Sequence, residues 1–419
     1  MTVDAVVADT FRQEWGRVVA TLIRTTGDWD LAEECAQDAF AQALARWPGD
    51  GVPHRPGAWI VTAARNRAVD KLRRRNVESA KLRQLAATDE PSAGDPVGGD
   101  PGDPDPSGIG DDRLRLLFTC CHPALSLEAR VALTLRTLAG LSTAEIARAC
   151  LVSEATMAKR LVRTKSRIRN AGIPYRVPPA ELLPARLPGV LAVLYLLFNE
   201  GYAATDGADV VRPDLCAEAI RLARLLARLL PEQPEAQGLL ALMLLHDARR
   251  DARVDAAGCL VTMHDQDRTR WRRDEIDEGV AVLESALDRG DVGPYQLQAL
   301  IAACHATAET TADTDWAGIA RLYRRLLPVL PSPVVALNHA VAVAMSEGPA
   351  AGLELVERLD ADGRLAGYHL LPATRADLLR RLGRREEAAA AYRSAIDLVD
   401  AGPVRDHLLR RLAEVSRSG

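Results

Sequence analysis

The sequence has few aromatic residues and no long apolar run. Phe, Tyr and Trp make up 4% of its 419 residues. The longest apolar stretch, residues 190–198, is far shorter than the roughly 20 residues that a membrane-spanning helix needs. The N-terminus also lacks a basic segment followed by an apolar one, the pattern of a secretory signal. We therefore expect a cytoplasmic protein that does not enter a membrane.

The seven cysteines show no paired spacing typical of metal ligands. Cys120, Cys121 and His122 form the one cluster, and two adjacent cysteines do not easily chelate an ion without further ligands nearby. No nucleophile elbow or phosphate-binding loop is present. We predict no metal, no cofactor and no catalytic residue, and we expect the cysteine pair to be reduced and packed in a core.

Abundant Ala, Leu and Arg favour helix, and the length favours two to four domains. We predict an all-α protein with a helical bundle at 9–77, a linker at 78–112, a helix-turn-helix domain at 113–171 and a helical extension at 185–419. The linker is predicted because residues 86–112 contain no Lys or Arg and very few large apolar residues. Such a segment cannot bury enough apolar surface to fold.

Two segments are strongly basic although the whole chain has a net charge of -4. Residues 59–75 and 153–169 each contain six basic residues against one acidic residue, at spacings that place most of the positive charge on one side of a helix. Lys and Arg that neutralise phosphates dominate affinity for nucleic acids. The two segments therefore predict two contacts with one long polyanion.

The second basic segment belongs to a predicted helix-turn-helix. Ser142 and Glu145 form a capping box for a short helix over 143–149, and Ser153 caps the next helix. Ile146, Ala147 and Met157 are assigned to the core. The residues predicted to face the major groove lie near the start and on the outer face of the second helix: Glu154, Ala155, Thr156, Lys159, Arg160 and Arg163.

These motifs resemble a known family. Residues 33–40 (EECAQDAF), 59–61 (WIV) and 64–74 (ARNRAVDKLRR) look like domain two of the extracytoplasmic-function (ECF) sigma factors of bacterial RNA polymerase. The helix-turn-helix downstream looks like their domain four. The resemblance implies two partners, core RNA polymerase, through its beta-prime clamp helices and beta flap, and promoter DNA.

The resemblance also implies roles for individual residues. Those expected to bind the clamp helices are Glu34, Gln37 and Asp38. Those expected to recognise and melt the minus-ten element are Trp59, Arg65, Asn66, Lys71, Arg73, Arg74 and Arg75. The recognition helix is expected to read the minus-thirty-five element.

The chain continues for more than two hundred residues beyond the helix-turn-helix. Residues 196–205 (LLFNEGYAAT) and 263–271 (MHDQDRTRW) resemble a subgroup with a long C-terminal extension of tetratricopeptide-like repeats, which is thought to take over regulation. Small and aromatic residues at Gly383, Ala388, Tyr392 and Ala395 fit one such repeat. Stacked helix pairs build a concave surface suited to a peptide or protein ligand.

Several polar residues in this extension are candidates for an interface or a pocket: Asn199, Glu200, Tyr202, His264, Asp265, Asp267, Arg268 and Trp271. An acid/base set of Glu200, His264 and Asp265 is the enzymatic alternative. A polar network that joins helices is the structural one. For the whole chain, a stand-alone helix-turn-helix regulator and a ligand-sensing or enzymatic domain fused to a DNA-binding module are the alternatives to a sigma factor.

Overall fold

The structure is a computed structural model that describes residues 2–86, 112–150, 152–202, 213–255, 261–290, 292–400 and 402–417. Across these ranges the regular elements are helices, and no β-strand is present. The chain divides into two compact units, Met1–Asp209 and Val210–Gly419. The prediction of an all-α protein is confirmed.

The first unit begins with three long helices, which we call the first bundle. Trp15, Val18 and Val19 of the first helix are almost completely buried. The second helix starts where the Asp28 carboxylate accepts hydrogen bonds from two backbone N–H groups at 3.0 Å, which satisfies donors that a helix start leaves unpaired. The helices are α1 (Val3–Thr26), α2 (Trp29–Asp50) and α3 (Pro56–Ala86).

The end of the first bundle differs from the prediction. Helix α2 ends at Asp50 with Pro48 inside its last turn. Helix α3 continues to Ala86, nine residues into the predicted linker. Its Lys and Arg content extends past residue 77, and long unbranched side chains lose little freedom in a helix. The rest of the predicted linker, residues 87–111, lies outside the described residues.

Four shorter helices form the second bundle, and its helix-turn-helix is confirmed. The backbone N–H of Ser142 donates to Glu145 Oε2 at 2.7 Å, and the N–H of Glu145 donates to Ser142 Oγ at 3.2 Å. Ser153 Oγ accepts from the N–H of Thr156 at 3.3 Å. Both predicted caps are therefore present. The helices are α4 (Asp112–Cys120), α5 (Leu127–Thr137), α6 (Thr143–Ala149) and α7 (Glu154–Asn170).

One more helix, α8 (Leu183–Tyr202), belongs to the first unit. It packs on α4 and α5, and Arg186 Nη2 donates to the carbonyl oxygen of Phe118 at 2.9 Å. The extension was predicted to start at residue 185. Its first helix is therefore part of the unit that contains the second bundle.

The second unit is built from ten helices in the part of the chain that the structure describes, and consecutive helices pack on each other. Residues 214–250 and 316–345 each form a pair of helices, and Pro328 lies inside a helix. The helices are α9 (Pro213–Leu229), α10 (Pro234–Asp247), α11 (Arg273–Leu287), α12 (Pro294–Ala306), α13 (Trp316–Val329), α14 (Pro333–Ser346), α15 (Pro349–Asp362), α16 (Leu370–Arg381), α17 (Arg385–Asp397) and α18 (Pro403–Arg417).

Small residues allow these helices to approach closely. A Cβ atom at Gly352 of α15 would lie 2.3 Å from the Cβ of Ala344 in α14, so only glycine fits there. In α17, Ala388, Tyr392 and Ala395 are buried as their spacing predicted. Within the described residues, no helix is long and apolar enough to cross a membrane.

Two histidines of the second unit should make its stability depend on pH. Burial is the main cause that lowers the pKa of His246 to about 3 and that of His305 to about 4, and Arg249 acts in the same direction. In the unfolded chain both groups titrate near 6.5, so unfolding takes up protons below that value. The stability present above pH 6.5 is therefore lost as the pH falls towards 4.

The measurement is the unfolding temperature, followed by circular dichroism from pH 7.5 to pH 4. We expect a shallower pH dependence for His305→Gln than for the wild type. His264→Gln, which changes an exposed imidazole, is the control and should leave the dependence unchanged. Equal dependence in wild type and His305→Gln would contradict the expectation.

Candidate nucleic-acid and polymerase interface

The basic face of α3 is exposed. Arg65, Asn66, Arg73 and Arg74 lie on the solvent side of the helix, because Ile60, Ala64 and Ala68 occupy the buried side. At the start of α3 the Trp59 ring is half-buried and meets the ring of Trp47 edge to face, with centroids 5.5 Å apart. The face therefore presents cations beside an aromatic ring that is partly open to solvent.

Two of the seven residues predicted for the minus-ten element also form ion pairs within the first bundle. Lys71 Nζ lies 2.9 Å from Glu34 Oε1 and 2.9 Å from Asp38 Oδ2. Arg75 Nη1 lies 3.0 Å from Asp28 Oδ2. Burial alone lowers the pKa of Lys71, but the hydrogen bonds with both carboxylates outweigh it and raise the pKa. Lys71 is thus a charged link between α3 and α2.

The residues predicted to bind polymerase lie on one exposed strip of α2. The side chains of Glu34 and Asp38 are 56% and 38% exposed, and Gln37 is exposed beside them. Neighbouring Glu33 faces the other way and is buried. This alternation follows from helical spacing, since Cys35, Ala36 and Ala39 occupy the inner face.

The outer face of α7 forms the second basic surface. Glu154, Ala155 and Thr156 are exposed in its first turn, as are Lys159 and Arg163 further along, and Arg160 is half-buried. Met157, Leu161 and Ile168 are buried against the bundle. The structure therefore confirms the predicted division of α7 into a core face and an outer face.

A shallow concavity of about 490 Å³ lies between α7 and the start of α5. Its basic lining consists of Lys159, Arg160, Arg163 and Arg167. The N-terminus of α5, where Ser126 caps the N–H of Ala129, borders it with the positive end of a helix. Arg167 was not among the predicted residues, although it follows Arg163 by four positions and Arg160 by seven, the spacing of one helix face.

The two bundles contact each other through a buried cluster of charges that sequence reasoning missed. Glu33 of α2 is 6% exposed. Its Oε1 lies 2.7 Å from Lys165 Nζ of α7, and its Oε2 lies 2.9 Å from Arg136 Nε of α5. Lys165 also reaches the exposed carboxylate of Asp30 at 2.9 Å. A carboxylate shared by two cations joins the recognition helix to the first bundle.

Close backbone packing surrounds this cluster. The indole N–H of Trp15 donates to the carbonyl oxygen of Arg136 at 3.3 Å. A Cβ atom at Gly16 of α1 would lie 2.7 Å from the carbonyl oxygen of Leu138, so only glycine allows α1 to come this near to the end of α5. The hydroxyl of Tyr175 donates to the carbonyl oxygen of Ala20 at 2.9 Å. The contact is therefore a specific interface.

The cysteine cluster lies inside the second bundle. Cys120 and Cys121 are buried, and their Sγ atoms contact the hydroxyls of Thr137 and Thr134. Burial raises the pKa of both thiols, that of Cys121 to about 12. Both residues are packed in the core, as the sequence predicted.

The candidate residues of the extension belong to both units. Asn199, Glu200 and Tyr202 lie on α8 of the first unit, and the others lie in the second unit. Asp267 caps a short 3-10 helix by accepting from the N–H and hydroxyl of Thr269, which is a structural role. The guanidinium of Arg268 stacks 4.5 Å above the ring of buried Trp271. His264 and Asp265 are exposed.

Models of protein families match three parts of the chain. Sigma-70 region 2 matches residues 10–77, and Sigma-70 region 4 matches residues 115–168. A family of unknown function, DUF6596, matches residues 186–287. The two sigma regions coincide with the first and second bundles.

Relatives agree with these matches. The ECF RNA polymerase sigma factor SigL of Mycobacterium tuberculosis is 31% identical over 140 residues, which are 33% of this chain and 73% of SigL. The chain belongs to the ECF sigma factors. An uncharacterized protein of Rhizobium meliloti is 44% identical to this ECF sigma factor over 411 residues, 96% of the chain and 95% of that protein.

The family assigns the two basic faces to different regions of the sigma factor. The face on α3 belongs to region 2, and the face on α7 belongs to region 4. The DUF6596 match begins on α8 in the first unit and ends on α11 in the second. Helices α12 to α18 lie beyond all three matches.

Proposed function

We propose that this ECF sigma factor binds core RNA polymerase and uses its two basic faces to recognise promoter DNA and start transcription. The observation that carries the proposal is the exposure of one basic face in each sigma region. Cations on separated faces neutralise phosphates at two places along a duplex. The polymerase makes the RNA, so the chain needs no catalytic residue of its own. A cytoplasmic location follows from this role.

In this proposal the α3 face acts on the minus-ten element. Arg65, Asn66, Arg73 and Arg74 hold the phosphates of the separated strands, because cations that track a backbone are what single-stranded DNA requires. Trp59 offers an aromatic ring on which an unstacked base can lie. Lys71 and Arg75 are assigned a supporting role, since their charges are already paired within the bundle.

The α2 strip is proposed as the contact with the beta-prime clamp helices. Glu34, Gln37 and Asp38 are exposed together, and Lys71 fixes the two carboxylates relative to α3. A polymerase contact on α2 is thereby coupled to the DNA-binding face of α3. Region 4 is proposed to meet the beta flap while α7 reads the minus-thirty-five element.

We also infer that the contact between the two bundles opens when the sigma factor engages a promoter. Elements centred about 25 base pairs apart are separated by roughly 85 Å at 3.4 Å per step. While the two bundles stay in contact, which we call the closed form, only short distances separate the two basic faces. Helix α7 extends only about 14 Å from Thr156 to Lys165, and α3 only about 18 Å from Trp59 to Lys71. Even with the ion pairs between the bundles added, these lengths are too short to reach both promoter elements.

The extension is proposed to modulate this activity as a tetratricopeptide-like domain. Its support is the succession of helices that pack on their neighbours in the chain with small residues at their contacts, such as Gly352 against Ala344. Stacked pairs of this kind form binding surfaces for a peptide or a protein. Helix α8, which packs on region 4, joins the extension to the sigma regions along the chain.

Transcription in vitro tests the proposed function. Core polymerase with the full chain should produce specific transcripts from the promoters of this factor, whereas core polymerase alone should not. A shortened chain that ends after Tyr202 keeps α8 on the second bundle and shows whether the extension activates or restrains initiation. Specific nanomolar binding of promoter DNA by the chain alone, without stimulation of polymerase, would instead indicate a stand-alone regulator.

A further inference from the structure

The second unit contains a cavity of about 710 Å³ that the sigma regions do not explain. Helices α12, α13, α14, α16, α17 and α18 contribute to its wall, and residues 262–268 form one side. The sequence motif at residues 263–271 therefore contributes directly to its wall. Cavities of 300–1,000 Å³ are typical of sites for small organic molecules.

Most of the wall is apolar. Its larger apolar contributors are Met263, Trp316, Val341, Met345, Leu370 and Leu408. Four histidines also line it, and burial lowers the pKa of three of them, His305, His369 and His407. These three imidazoles are therefore neutral at pH 7, and the fixed charges of the cavity come from Arg and Asp.

The arginines of the wall outnumber its carboxylates. Asp377 is shared by Arg380 at 2.6 Å and Arg411 at 3.7 Å. Arg381 donates to the carbonyl oxygen of Ala344 and to the Sδ of Met345, and no carboxylate within the described ranges pairs with it. Positive charge at Arg381 is thus left without an acidic partner beside an apolar surface.

Two further polar groups in the wall lack partners among the described residues. The hydroxyl of Thr314 is buried, with the residue 6% exposed, and makes no hydrogen bond there. Arg268 uses Nη1 to donate to the carbonyl oxygens of His305 and Ala308 at 2.7 Å, but its buried Nε has no acceptor. Buried donors without acceptors cost free energy, and both residues lie at the wall of the cavity.

We propose that this cavity binds a small organic anion with an apolar body. The anionic group is received by Arg381, and the apolar body lies against Trp316 and its neighbours. Arg381 is exposed at the edge of this apolar cavity, and an arginine there favours a carboxylate, sulfonate or phosphate. The cavity volume fits a molecule of this kind better than a folded peptide.

Ligand binding in this cavity would allow the extension to modulate transcription. That regulatory role, unlike the binding itself, rests on the proposed function. Binding itself is measured on the full chain without polymerase. A failure of transcription and a failure of ligand binding are therefore separate results.

The probes are a pair of fluorescent naphthalenes that differ in one anionic group. 1-Anilinonaphthalene-8-sulfonate carries a sulfonate, and N-phenyl-1-naphthylamine is its neutral counterpart. We expect the full chain to bind one sulfonate probe per molecule and to bind the neutral probe more weakly. Arg381→Gln should weaken the sulfonate about tenfold, which is about 1.4 kcal/mol, and leave the neutral probe unchanged.

Two control variants test whether the probes bind in the cavity. Arg393→Gln alters an exposed arginine of α17 outside the cavity wall and should change neither affinity. Ala373→Trp fills the cavity from α16 and should abolish binding of both probes, with circular dichroism confirming the fold. Sulfonate binding that survives Ala373→Trp, or an equal loss of both probes in Arg381→Gln, would overturn the proposal. Absence of saturable binding would overturn it too.

Discussion

Replacing Glu33 by glutamine is expected to separate the two bundles in the free protein. Lys165 and Arg136 are 10% and 18% exposed, and Glu33 is their shared buried carboxylate. Removing one partner of a buried ion pair leaves the other charges uncompensated and costs about 3–5 kcal/mol. Such a change shifts the equilibrium towards the form in which the bundles are apart by about two to four orders of magnitude.

Energy transfer between two dyes gives the measurement. One dye is attached at Thr62→Cys on α3 and the other at Arg169→Cys on α7, both exposed positions in different bundles. We expect high transfer in the otherwise wild-type chain and low transfer with Glu33→Gln. In the presence of core polymerase and promoter DNA, both proteins should show low transfer, because promoter binding requires the open form.

Asp30→Asn is the matched control. Asp30 pairs with the same lysine, Lys165, but its side chain is 69% exposed, and exposed ion pairs contribute only about 0–1 kcal/mol. This variant should keep the high transfer of the wild type. If Glu33→Gln, with its helical content intact, also kept high transfer, the charge cluster would not be what holds the bundles together.

The helix-turn-helix and the outer face of α7 could be predicted from the sequence because they depend on residues that are close together in the chain. The capping box at Ser142 and the N-cap at Ser153 place polar acceptors three residues before the N–H groups that they satisfy, so the two helices of the helix-turn-helix could be predicted. The outer face of α7 followed from helical periodicity in the same way. Arg167 obeys that periodicity and could have been included.

The contacts between distant segments could not be read in this way. Arg136 and Glu33 are 103 positions apart in the chain, and nothing in the neighbourhood of Glu33 distinguishes its buried carboxylate from exposed Glu34 except the helix face. The resemblance implies a DNA-binding role for Lys71, but its pairing with Glu34 and Asp38 depends on how α3 packs on α2 and could not be read from the sequence. The cavity of the second unit likewise joins residues 262–268 to helices far along the chain.

Arg160 on the outer face of α7 allows a test that distinguishes recognition of bases from contacts with phosphates. Arg160 is half-buried in the concavity next to Lys159 and Arg163, so its guanidinium has less freedom than those of its exposed neighbours. An arginine held in one orientation can bond two acceptors of a guanine edge, and such a contact is worth about 1–3 kcal/mol of discrimination. Arg74 on α3 is exposed and suits a phosphate contact.

Arg160→Ala is therefore expected to reduce transcription in vitro by about 10- to 100-fold from promoters with the preferred minus-thirty-five sequence, and much less from promoters altered at the contacted base pair. Arg74→Ala should weaken all promoters alike and lower the salt dependence of open-complex formation by about one unit of slope. Arg169→Ala, an exposed change at the end of α7 outside the concavity, is the control and should have little effect. An equal loss for Arg160→Ala on every promoter would mean that Arg160 contacts phosphate, and that the bases are read by other residues at the start of α7.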